Sequence, residues 1–71
     1  MSLRTYGVAV ARGQTWRSCD PLEPDMRFLV VRTDGTYAYG FRFKVGFGLR
    51  KSRILLRRMY PHSSGWEFVH D

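Results

Sequence analysis

The stretch Arg27-Phe28-Leu29-Val30-Val31-Arg32-Thr33-Asp34-Gly35-Thr36-Tyr37-Ala38-Tyr39-Gly40-Phe41-Arg42-Phe43 decides the fold class. Asp34-Gly35 lies between two runs of β-forming residues, and Asp-Gly suits the two positive-φ positions of a type I′ turn, so the segment reads as a β-hairpin. With a two-residue loop, Arg32 faces Tyr37, Val31 faces Ala38, Val30 faces Tyr39, Leu29 faces Gly40 and Phe28 faces Phe41. Alternation along residues 36–44 turns Tyr37, Tyr39, Phe41 and Phe43 to one side and Ala38, Gly40, Arg42 and Lys44 to the other. The rings are expected to form core and cross-strand packing. Gly40 is expected to mark a bulge or bend that curls the sheet toward closure.

Upstream, Tyr6, Val8 and Val10 alternate with small residues and suggest a strand, and Gln14-Thr15-Trp16-Arg17 suggests another after Gly13. Residues 20–25 hold two of the three prolines and three of the six acidic residues, which makes them a loop. Downstream, residues 45–48 read as a turn and residues 52–57 as a strand with Ile54 and Leu56 inward. Arg58-Met59-Tyr60 reads as a single turn before Pro61, and residues 66–69 as a last strand with Trp66 and Phe68 on one face. A rival reading makes residues 49–60 a basic amphipathic helix, with Leu55, Leu56 and Met59 on one side and Arg50, Arg53 and Arg57 on another. The strand reading gives five or six short strands with one 3₁₀ turn before the last. That order resembles a small SH3-like β-barrel, all-β in class, forming one domain over residues 1–71 with 1–12 as an extension or extra strand.

Seventy-one residues leave room for one core, because a chain this short buries only about 60% of its unfolded surface. A single cysteine, Cys19, excludes an internal disulfide framework and a thiolate metal cage and suits a reducing compartment. No apolar run is long enough for a membrane-spanning helix, and the first residues lack the layout of a secretory signal. A cytoplasmic protein without a membrane partner is expected.

Positive charge is regional. The net charge is +6, residues 36–66 contain no acid, and Arg42, Lys44, Arg50, Lys51, Arg53, Arg57 and Arg58 supply seven of the twelve cations. Alternation puts Arg42 and Lys44 opposite the aromatic core and Arg53, Leu55 and Arg57 on the outward face of the next strand, forming a stripe able to neutralise phosphates. DNA or RNA is the expected partner, with Tyr37 and Phe47 as stacking candidates. The alternative is a host protein held on an apolar patch of Leu55, Phe47 and Trp66 ringed by arginines. Such arginines also serve solubility and blunt exposed edges in many β domains.

Catalytic and metal-binding signals are thin. His62 and His70 have neither zinc-helix spacing nor a cysteine pair, and both read as solvated surface residues. Ser63-Ser64-Gly65 lacks a nucleophile-elbow frame. Asp20 beside Cys19 is expected to raise the thiol pKa. Asp20, Glu23 and Asp25 lack a calcium-loop pattern and read as a solvated acidic loop. No enzyme activity, cofactor or metal is expected.

Gly13-Gln14-x-Trp16-Arg17-x-x-Asp20-Pro21, then Ser52-Arg53-Ile54-x-Leu56-x-Arg58-Met59-x-Pro61, then Ser63-Ser64-Gly65-Trp66 resemble a group of small actinobacterial and actinophage proteins of no assigned activity. These share a G-Q-x-W-R-D-x-D-P opening, a basic R-I-x-L-x-R-L-x-P segment and a T-S-x-G-[YW] ending. The resemblance covers residues 13–70, implies the barrel, and implies a phage accessory protein acting in the host cytoplasm. The chain departs from that group in the twelve residues before Gly13 and in Leu55, which stands where a polar residue is usual and suggests a contact surface. Gly13-x-x-Trp16, Asp20-Pro21 and residues 27–31 are also similar to the opening of MazF/PemK-like toxins. Those nucleases are longer, and nothing here matches their later part, so their activity is not expected.

Overall fold

The hairpin forms through a different turn from the one Asp-Gly suggests. The computed structural model describes residues 9–44, 46 and 48–70, and in it β2 (Arg27–Thr33) pairs antiparallel with β3 (Tyr37–Phe43). Neither Asp34 nor Gly35 has a positive φ, which excludes type I′. Asp34 Oδ1 instead accepts the N–H groups of Thr36 and Tyr37, each at 2.7 Å, while the Asp34 N–H donates to the Tyr37 carbonyl at 3.0 Å. This side-chain mimic of a backbone turn is a common use of Asp.

The longer loop changes the register. Thr33 pairs with Ala38 and Arg32 with Tyr39; Val31 then bulges, and below it Val30 pairs with Gly40, Leu29 with Phe41 and Phe28 with Arg42. Relative to a two-residue loop, β3 below the bulge is displaced by one place, and one place exchanges the faces. Ala38 and Gly40 are therefore the buried positions, and Tyr37, Tyr39, Phe41 and Phe43 lie half-buried on the outer face. The expectation that these rings form the core is overturned. The core is built by Trp16, Phe28, Val30, Ala38, Ile54, Met59 and Trp66, with Phe68 packed against it. Trp16 meets Phe68 edge-on at 5.7 Å, and Phe28 meets Trp66 at 5.8 Å. With two indoles and Phe28 filling the interior, the buried positions of β3 are the small residues Ala38 and Gly40.

Gly40 is needed at its position. A Cβ there would collide with the Leu29 carbonyl and lie 3.2 Å from Val31 N, so β2 and β3 approach closely where the bulge bends the sheet, as the glycine suggested.

The remaining elements are β1 (Thr15–Ser18), β4 (Arg50–Leu55), a 3₁₀ turn (Leu56–Arg58) and β5 (Trp66–His70). All five strands are antiparallel in one sheet of order β4-β3-β2-β1-β5. The all-β class, the strand count and the 3₁₀ turn before the last strand follow the sequence reading. The turn comes two residues earlier than expected, and the rival helix over 49–60 does not form. The sheet is not closed into a barrel, since β4 and β5 are its two edges. Of the upstream strand expected around Tyr6, Val8 and Val10, residues 1–8 lie outside the described residues; Val10 packs against the core without joining the sheet. Among the described residues, no helix is long and apolar enough to cross a membrane.

One buried polar side chain ties the upstream segment to the core. Gln14 Oε1 accepts the Trp16 indole N–H at 3.0 Å and the Ala11 N–H at 2.9 Å, and Gln14 Nε2 donates to the Ala9 carbonyl at 2.8 Å. Burial of this amide is tolerated because both ends are hydrogen-bonded.

Gly40→Ala is expected to destabilise the protein by about 1–3 kcal/mol, the range for overpacking a close contact. Gly35→Ala, with no atom within 4 Å of the added carbon, is expected to change little. Urea unfolding of both variants checks the contrast.

Candidate nucleic-acid interface

The displacement of β3 sets rings and cations on the same surface. On the outer face Arg32 of β2 and Arg53 of β4 both pair with Tyr39 of β3, Lys51 pairs with Phe41, and Leu55 pairs with Tyr37. The Arg32 guanidinium lies 3.9 Å from the centroid of the Tyr39 ring, and that of Arg53 lies 4.6 Å from the Tyr37 ring. The two tyrosines are 6.0 Å apart. Such stacking fixes the planar guanidinium groups while leaving their charge outward. A shallow depression of about 540 Å³ is lined here by Val31, Arg32, Tyr39, Gly40, Phe41, Lys51, Ser52 and Arg53, with no acidic residue among them.

The Tyr39 hydroxyl donates to Asp34 Oδ2 at 2.9 Å, so the turn residue also positions this ring. Three donors, the Tyr37 and Thr36 N–H groups and then the Tyr39 hydroxyl, hold the Asp34 carboxyl below the usual carboxylate range. The same hydrogen bond to Asp34 pushes the Tyr39 hydroxyl up.

The seven central cations do not form one stripe. Lys51 and Arg53 are on the ring-bearing face with Tyr37. Arg42 pairs with Phe28 and with Arg50, and so belongs to the core side of the sheet rather than the outward face expected for it. Its guanidinium rests 5.6 Å from the centroid of the Trp66 ring. Lys44 lies beyond β3 in an ion pair with Glu23 at 3.5 Å. Arg57 and Arg58 are exposed on the 3₁₀ turn. Phe47 lies outside the described residues. The expected patch of Leu55, Phe47 and Trp66 does not take that form, because Trp66 is only 6% exposed and Leu55 is half-buried beside Tyr37.

Arg32 and Tyr39 were not singled out by the sequence. Arg32 lies outside the acid-free segment, and Tyr39 is assigned inward when the loop is given two residues.

Other reactive groups are committed locally. His62 is half-buried rather than solvated; its ring lies 4.2 Å from that of Tyr60, and its Nδ1 accepts the Ser64 N–H at 3.3 Å and lies 3.1 Å from Ser64 Oγ. The Cys19 thiol is pushed up, first by burial and then by the Glu67 carboxylate, rather than by Asp20. Glu67 also pairs with Arg17 across β1 and β5. Among the described residues, no three His, Cys, Asp or Glu side chains gather to hold a metal ion. Compared with protein-family models, curated proteins and solved structures, the chain matches none.

Because the Asp34 pKa is lowered on folding, its contribution to stability is present above the ordinary carboxylate range and is lost as pH falls through that range toward the lowered folded value. Thermal unfolding followed from neutral to acid pH is expected to show a smaller acid-induced drop in Tm for Asp34→Asn than for the parent chain. An equal drop would remove Asp34 as the source.

Proposed function

We propose that the protein is a binding module for nucleic acid, engaging it through the outer face of β2, β3 and β4. One observation carries this reading: Tyr37, Tyr39 and Phe41 form a row flanked by Arg32, Lys51 and Arg53, and the depression over Tyr39 and Phe41 is lined without a carboxylate. Cations spaced along neighbouring strands can neutralise successive phosphates, and rings or guanidinium planes between them can stack on bases. An open sheet face leaves the bases of a single strand accessible to those rings, whereas a duplex keeps its bases stacked inside, so single-stranded DNA or RNA is the favoured form. Lys51, Arg53 and Tyr37 retain the roles the sequence suggested, and Arg32, Tyr39 and Phe41 join them. The module acts by binding, without a chemical step.

Labelled oligo(dT) and oligo(rA), titrated at rising salt, are expected to bind with affinity that falls steeply as salt rises. Replacing Arg32, Lys51 or Arg53 with alanine is expected to reduce the slope of log affinity against log salt by about 0.7 for each phosphate that is no longer neutralised. Phe41→Ala is expected to weaken binding by about 1–3 kcal/mol for each base it stacks, without altering the slope. Absence of binding at low ionic strength would end this reading.

A further inference from the structure

A second concavity adjoins the ring-bearing face and shares Tyr37 and Arg53 with it. It is a groove of about 460 Å³, lined by residues of both edge strands, the 3₁₀ turn and the acidic loop. Buried Ile54 and Trp66 give it an apolar base, half-buried Met26 and Leu55 border it, and Arg42, Arg53 and Arg58 supply positive charge. Asp20 and Glu23 line it too.

The charges are unequally committed. Asp20 Oδ1 accepts the Leu22 N–H at 2.9 Å, and Glu23 Oε2 is paired with Lys44. Arg42 and Arg58, by contrast, meet no carboxylate among the described residues. Arg42 Nε is buried without a hydrogen-bond partner. An arginine donor removed from water without an acceptor is costly unless something supplies one.

We propose that this groove docks an acidic segment of a partner protein, whose carboxylate is gripped by Arg42 and Arg58 while an adjacent apolar side chain meets Met26 and Leu55 above Trp66. The planar guanidinium of Arg42 matches a carboxylate in geometry, and such charge-assisted hydrogen bonds are the strong ones. The two acids in the groove decide between classes of partner. Asp20 and Glu23 repel a continuous polyanion, but tolerate one carboxylate among apolar neighbours. This site borders the nucleic-acid face at Tyr37 and Arg53 and differs from it in its acids, its apolar base and its use of Arg42 and Arg58.

A random dodecapeptide library displayed on phage and selected on the immobilised full chain tests the proposal. The expected result is enrichment of sequences with Asp or Glu next to an apolar residue. A synthetic peptide of the strongest selected sequence is expected to bind Arg42→Gln at least tenfold more weakly and Arg58→Ala several-fold more weakly. Near-UV circular dichroism from the two tryptophans checks that each variant is folded. Failure to enrich, enrichment of acid-free sequences, or unchanged affinity in both folded variants would overturn the proposal. So would displacement of the peptide by oligo(dT) together with loss of oligo(dT) binding in Arg42→Gln, which would place the groove on the path of the nucleic acid.

Discussion

The pairing of β2 with β3 is the constraint on which the rest depends. Asp34 turns the chain with its own carboxylate, Val31 bulges, and Gly40 lets the two backbones approach. Together these displace β3 by one place below the bulge. Because side chains alternate strictly along a strand, that displacement determines whether four aromatic rings fill the interior or face outward. The interior is already occupied by Trp16, Phe28 and Trp66, so the rings face outward and two small residues take the inner positions.

The same pairing distributes the charge. An outward ring row brings Arg32 and Arg53 into stacking distance of tyrosines and sets Lys51 beside Phe41. It also carries Arg42 to the opposite side, over Trp66 and away from the other cations of the ring face. One strand thus serves two surfaces of different character. The outer one is cationic and aromatic, suited to repeated negative charge. The groove mixes both signs around an apolar base, suited to a single charge within a less polar segment.

Much of the architecture was legible because strand signals are local. A run of β-forming residues located β2 and alternation located β3, the prolines at 21 and 24 located the loop, and Gly40 announced the bend. Which side of β3 is inside was not legible, since alternation defines two faces without saying which is buried. Rings are the natural choice for a core, but interior volume is shared by all strands, and β1, β2 and β5 supply the large residues here. The site was half legible for the same reason. Lys51 and Arg53 were found from charge clustering and Tyr37 as a ring beside them, whereas Arg32 and Tyr39 depend on the true register. The bare Nε of Arg42 has no signal in the sequence, because it arises from what surrounds that arginine in space.

Gln14 carries a consequence for how the molecule responds to acid. Its amide clasps the Trp16 indole and the backbone at residues 9 and 11 with groups that neither gain nor lose a proton in the range where carboxylates do. The turn between β2 and β3 is held by the Asp34 carboxylate, which does. Acidification therefore releases the carboxylate clasp at the hairpin turn and leaves the amide clasp on Trp16 in place.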